Sequence, residues 1–146
     1  MRWTDVLRID APAEVVWRLT TDLDGLSAVM PTVRRSQRMD SGPVRVGSCA
    51  RLTQPGGLSA VWTVVELDEG RRFVWRARLL GRTLTAVHLI EPDAGGCRNT
   101  VALELPEPST ALARLMTRVV AAPVVRCSLR LENRGFAAAA ERAVAG

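Results

Sequence analysis

"RARLLGRTLTAVHL", Arg76 to Leu89, reads as two strands joined by a tight turn. Apolar and polar side chains alternate on both sides of Leu80-Gly81-Arg82, the period of a half-buried strand. Gly81-Arg82 suits a two-residue type II′ turn, which takes glycine first. In that register Leu80 faces Thr83, Leu79 faces Leu84, Ala77 faces Ala86, Trp75 faces His88 and Phe73 faces Ile90. One face then carries Phe73, Trp75, Ala77, Leu79, Leu84, Ala86, His88 and Ile90. The other carries Val74, Arg76, Arg78, Leu80, Thr83, Thr85, Val87 and Leu89. The first face is apolar except for His88, the only histidine in the chain. His88 is therefore expected to point inward, beside Trp75. A register slip of one residue, or a three-residue loop, would turn it to water.

The preceding hairpin, "VWTVVELDEGRRFVW", extends the inner face. A two-residue Glu69-Gly70 turn sets Trp62 opposite Ala77 and Val64 opposite Trp75. A three-residue loop with Gly70 in the left-handed region would bring Val61 and Thr63 inward instead. The first is preferred because it buries a tryptophan. In the following strand Val101, Leu103 and Leu105 face inward, and Cys97 and Asn99 share their parity.

The pattern holds from Val33 to Leu105, where "DSGP", "QPGG", "DEG", "LGR" and "PDAGG" divide the chain into about six strands. Upstream, "RWTDVLRID" alternates as a first strand. "APAEVVWRLTTDLDG" then reads as a helix with Pro12 in its first turn, where a missing N–H costs nothing. A short second helix, "LSAVM", is stopped by Pro31. Beyond Pro108 the period becomes helical. Leu112, Leu115, Met116, Val119, Val120, Pro123, Val124, Cys127 and Leu131 form one broad apolar stripe. Arg114, Arg118 and Glu132 lie opposite, and Pro123 should kink the run. An antiparallel sheet of this order can hide one face only against that last helix.

Composition sets outer bounds. The chain has 146 residues, 47% of them hydrophobic and 24% charged, which fits one globular domain spanning residues 1–146. No apolar stretch approaches the roughly 20 residues of a membrane span. "MRWTDVLRIDAP" lacks a signal-peptide core, so a cytoplasmic location is expected. Cys49, Cys97 and Cys127 are odd in number and widely spaced, which supports neither a disulfide framework nor a zinc site. No metal and no cofactor are expected.

Net charge is +5, and every basic residue is arginine, a usage that fits a GC-rich bacterial genome. Clusters stand at "RRSQR" and "GRRFVWRARLLGR". In the second, arginines alternate with aromatics, and a strand sends the two groups to opposite faces. This reads as a solvated convex face, with Arg76 and Arg78 exposed, rather than as a nucleic-acid site.

The chain resembles the polyketide cyclase/dehydrase and lipid-transport family (SRPBCC) of the START-type, Bet v 1-like helix-grip superfamily. The resemblance rests on "IDAPAEVVWRLTTDLDGLSAVMPTV", "VRVGSCARL", "WTVVELDEGRRFVWRA" and "LIEPDAGGCRNTV". Met30 stands where the family usually has tryptophan, and Cys97 where threonine usually follows glycine. The resemblance implies an α+β helix-grip fold. A seven-stranded antiparallel sheet would wrap around a long C-terminal helix, with short helices after the first strand and a cavity between sheet and helix. It implies no single activity, because the family holds cyclases, lipid carriers and sensors.

Three functions are compatible with this pattern. The first is binding of a hydrophobic, lipid- or polyketide-like small molecule. Trp62, Val64, Phe73, Trp75, Ile90 and Leu103 of the sheet would face Met116, Val119 and Val120 of the helix, with His88 and Asn99 as polar anchors. The second is a polyketide cyclase, aromatase or dehydratase-type enzyme with His88 as general acid/base. The absence of tyrosine and the scarcity of inward polar groups weigh against it. The third is an interaction protein using the arginine-rich face. Monomer and homodimer are both open.

Overall fold

A computed structural model describes all residues, 1–146. Strand β1 (Arg2–Ile9) leads into helices α1 (Ala13–Thr21) and α2 (Leu26–Val29). Strands β2 (Arg35–Arg38), β3 (Cys49–Thr53), β4 (Ser59–Asp68), β5 (Arg72–Leu79), β6 (Arg82–Asp93) and β7 (Gly96–Glu104) come next. The chain ends in α3 (Ala111–Met116), a π-helical turn (Thr117–Ala121) and α4 (Ala122–Ala145). The strands form one antiparallel sheet in the order β1-β7-β6-β5-β4-β3-β2. The sheet curls around α4, which packs on β1, β7 and α1. This is the helix-grip fold.

The β5–β6 turn differs from the expected one. Leu79 pairs with Arg82, so the two turn residues are Leu80 and Gly81. Both have positive φ, 51° and 76°, as a type I′ turn requires. Such a turn matches the right-handed strand twist, and the ladder accepts a leucine in the left-handed region to obtain it. The pairing shifts by two, so each side chain keeps its face. His88 is 4% exposed and inward, but it lies opposite Phe73, not Trp75. Arg76 and Arg78 are exposed.

The β4–β5 hairpin combines both readings. Asp68 pairs with Arg72, leaving a three-residue loop with Gly70 at φ 78°. A bulge at Val65 then restores the register, so Trp62 meets Ala77 and Val64 meets Trp75. Trp62 thus reaches the inner face.

The C-terminal run departs most. The π turn closes with the Ala122 N–H donating to the Thr117 carbonyl, five residues back. Pro123 sits in the first turn of α4, where its missing N–H and its ring are tolerated. The inward face is built from Thr117, Ala122, Leu129, Asn133 and Phe136. The apolar stripe read from the sequence therefore faces outward. Met116, Val119 and Val120 are 51%, 63% and 53% exposed and do not face the sheet. The extra residue of the π turn rotates the run, and α3 and the π turn make no contact with any strand, so their apolar side chains stay outside.

The core is divided. Phe136, Ala137 and Ala140 of α4 close over Ile9, Val16, Phe73, Trp75 and Ile90. A smaller cluster, Trp3, Val101, Ala122 and Leu129, lies at the other end of the helix.

Candidate functional site

A cavity of about 290 Å³ lies between the inner sheet face and α4. The sheet supplies Leu52, Trp62, Trp75, Leu84, Ala86, His88 and Leu103. The helix supplies Val124, Val125, Ser128, Leu129 and Glu132, and the link from α2 to β2 supplies Met30, Thr32 and Val33. Gln54, Leu58, Ser59 and Val124 both line the cavity and are exposed, so they mark its mouth. Of 23 lining residues 17 are hydrophobic, and none is an arginine although the chain has 20. Small-molecule sites in general have such a lining, mostly apolar with a few polar groups.

Among the residues expected to line the site, Trp62, Trp75, His88 and Leu103 do so. Trp62 and Trp75 lie with ring centroids 5.5 Å apart. Val64, Phe73 and Ile90 are inward but fully packed in the core. Met116, Val119 and Val120 lie outside the cavity, on the outward face of the C-terminal run.

Asn99, expected as a ligand anchor, is not among the residues that line the cavity. It is completely buried, and its Nδ2 donates to Asn133 Oδ1 at 2.9 Å. Asn133 in turn donates to Asp5 Oδ2 at 2.8 Å and to the Asn99 carbonyl at 3.2 Å. This network ties α4 to β1 and β7 through the Asn99 Nδ2 and backbone carbonyl, while the buried Asn99 Oδ1 has no hydrogen-bond partner.

His88 stands edge-on to Phe73, with centroids 5.8 Å apart. Its Nδ1 is buried and has no hydrogen-bond partner. Burial lowers the imidazole pKa to about 4, because the charged form loses its hydration. The ring is neutral at pH 7, able to donate through one nitrogen and accept through the other.

Glu132 is the polar residue that the sequence concealed. It lies on the cavity side of α4, not on a solvated face. Thr32 Oγ1 donates to its Oε1 at 3.0 Å. Burial raises the carboxyl pKa to about 7, and the Thr32 hydrogen bond offsets only part of that rise. Nothing local marked it, since an acid between Leu131 and Asn133 at helical spacing reads as an ordinary surface residue. No group of three or more His, Cys, Asp or Glu side chains is placed to hold a metal ion, and the three cysteines are free.

A curled sheet gripping a helix around an apolar cavity defines the helix-grip class of small-molecule-binding folds. The family model for polyketide cyclase / dehydrase and lipid transport matches residues 2–141, and the chain belongs to that family. No curated protein matches the sequence. Among solved structures, the Zhui aromatase/cyclase from Streptomyces sp. R1128 is similar with a TM-score of 0.79 and 18% identity, over 99% of this chain and 95% of that one. The protein TTHA0849 from Thermus thermophilus is similar with a TM-score of 0.77 and 18% identity, over 98% and 99%. The di-domain ARO/CYC StfQ of the steffimycin biosynthetic pathway gives 0.74 and 18%, over 99% of this chain and 52% of that one. At these identities the likeness is one of fold.

Proposed function

We propose that the protein binds an apolar small molecule, lipid- or polyketide-like, in the cavity between the sheet and α4. The observation that carries this reading is the cavity lining. It is mostly apolar, free of arginine, open at one end and provided with two titratable groups, His88 and Glu132. Trp62, Trp75, Leu103 and Leu129 supply the apolar contact, and His88 offers a neutral donor or acceptor. The test is binding of the neutral probe phenylnaphthylamine, read by energy transfer from the tryptophans. Saturable binding is expected, and Ser128→Phe, which fills the cavity from the helix side, should abolish it. Unchanged binding in that variant would place the probe elsewhere.

A second reading is catalysis of the cyclase, aromatase or dehydratase type; Zhui and StfQ carry the first two activities in their names. The favouring observation is Glu132. A general acid/base works best with a pKa near the working pH, and its carboxyl sits at about 7. His88, at about 4, is a weak base and suits the role of hydrogen-bonding a substrate oxygen. On this reading Glu132→Gln should lower turnover by about 10²–10⁴ with binding kept. His88→Gln should change mainly affinity, by on the order of 1 kcal/mol. A larger loss of turnover for His88→Gln than for Glu132→Gln would reverse the assignment.

A further inference from the structure

The apolar row of the C-terminal run has no partner within the fold. Leu115, Met116, Val119, Val120 and Leu131 are all exposed. Scattered exposed leucines need no explanation, but a continuous row at helical spacing does.

The charge around this row has one sign. Between Glu107 and Glu132 the chain has no carboxylate, and it has Arg114, Arg118, Arg126 and Arg130, all exposed. Arg114, Arg118 and Arg126 gather in a shallow depression with Arg2. The carboxylate of that depression, Glu107, lies 3.2 Å from the N-terminal amine. The other flank of the helix, through Val124, Val125 and Ser128, borders the cavity. Strand direction adds two further elements to this end of the molecule. The β3–β4 loop carries exposed Leu58, and the β5–β6 turn carries Leu80, 84% exposed. Leu58 itself stands at the cavity mouth.

We infer that this end of the molecule docks on an anionic lipid membrane: the apolar row enters the headgroup layer, the arginines meet lipid phosphates, and the cavity mouth opens beside it. An interfacial helix with an apolar face and an arginine flank gains from both buried area and charge attraction. Arginine stems can lie along the apolar row while their guanidinium groups reach the phosphates. A second copy of the chain fits less well. A two-fold contact sets the same patch against itself, arginines to arginines, with no carboxylate in the stretch to pair them.

Flotation of the full chain with lipid vesicles tests the proposal. The wild type should float with phosphatidylcholine–phosphatidylglycerol vesicles and not with phosphatidylcholine alone. It should be released at about 1 M salt, where screening falls to about 3 Å. Arg114→Ser with Arg118→Ser should weaken partitioning about 30-fold. Leu115→Asp with Val119→Asp should abolish it. These four residues lie outside the cavity, so both variants should still bind phenylnaphthylamine. Lost flotation with retained probe binding then separates the docking surface from the cavity reading. No flotation of the wild type, equal flotation on neutral vesicles, or full flotation of the aspartate variant would overturn the proposal. A wild-type dimer in sedimentation equilibrium that Val119→Asp makes monomeric would also overturn it, by assigning the row to a second copy.

Discussion

His88 on β6 stands edge-on to Phe136 on α4, their ring centroids 5.9 Å apart and their planes at 74°. The sheet side is closed by Phe73 in the same manner. The imidazole is thus held between sheet and helix by aromatic edges, surroundings that favour its neutral form. Its folded pKa of about 4 lies below the ordinary 6.5. As pH falls, the unfolded chain takes up the proton first, so the contribution of His88 to stability declines between about pH 6.5 and about pH 4. The full loss is on the order of 3 kcal/mol. Glu132 opposes this over the same range, so urea unfolding should show the decline in a Glu132→Gln background, and adding His88→Gln should remove it. An NMR titration in which the ring protonates at its ordinary value would contradict the burial argument.

Glu132 acts in the opposite direction. Its folded pKa of about 7 lies above the ordinary 4.5, so the folded state holds its proton more firmly than the unfolded one. The contribution is fully present below about pH 4.5 and is lost as pH rises through about 7. Glu132→Gln keeps an acceptor for Thr32 and cannot ionise. The variant should therefore gain stability relative to the wild type above about pH 7 and match it in acid. A carboxylic-acid carbonyl band in the infrared spectrum, persisting near neutrality and absent from the variant, would report the same proton directly.

The two residues show what the sequence could and could not disclose. The face of His88 was legible because period-two alternation fixes faces whenever a register error is even, and the I′ turn at Leu80-Gly81 shifted the pairing by two. Its neighbour was not legible, since a positive φ at Leu80 has no signal in that residue type. Trp62 reached the inner face through a bulge at Val65, which neither turn reading contained. The helix misleads because its apolar stripe is not its buried side. The buried side uses Thr117, Ala122 and Leu129 instead. Met30 and Val33 come from the link after α2, whose position depends on tertiary packing alone.

Trp75 and Trp62 should separate fold from binding. Trp75 is 2% exposed, and truncation to alanine should cost about 3–5 kcal/mol. Trp62 is only half-buried at the cavity wall, so Trp62→Ala should cost less and should enlarge the space. Thermal unfolding measures the first difference. Affinity for apolar probes larger than phenylnaphthylamine measures the second, and an increase is expected for Trp62→Ala.

Gly135 marks where α4 and α2 touch. A Cβ at this position would run into the Val29 carbonyl oxygen and lie 3.1 Å from Pro31 Cδ. In an open helix, alanine in place of glycine stabilises by about 1 kcal/mol. Here the added methyl must push the end of α2 away, and overpacking of this kind costs about 1–3 kcal/mol. Gly135→Ala is therefore expected to lower Tm by a few degrees, roughly 2–4 °C per kcal/mol for a chain of this size. The displaced segment continues into Met30, Thr32 and Val33, which line the cavity, and Thr32 is the donor to Glu132. The same substitution should thus weaken phenylnaphthylamine binding and raise the Glu132 pKa further, since its one hydrogen-bond donor moves off. A more stable Gly135→Ala protein with unchanged probe affinity would mean that α2 yields without cost, and that the cavity wall it carries is not held by this contact.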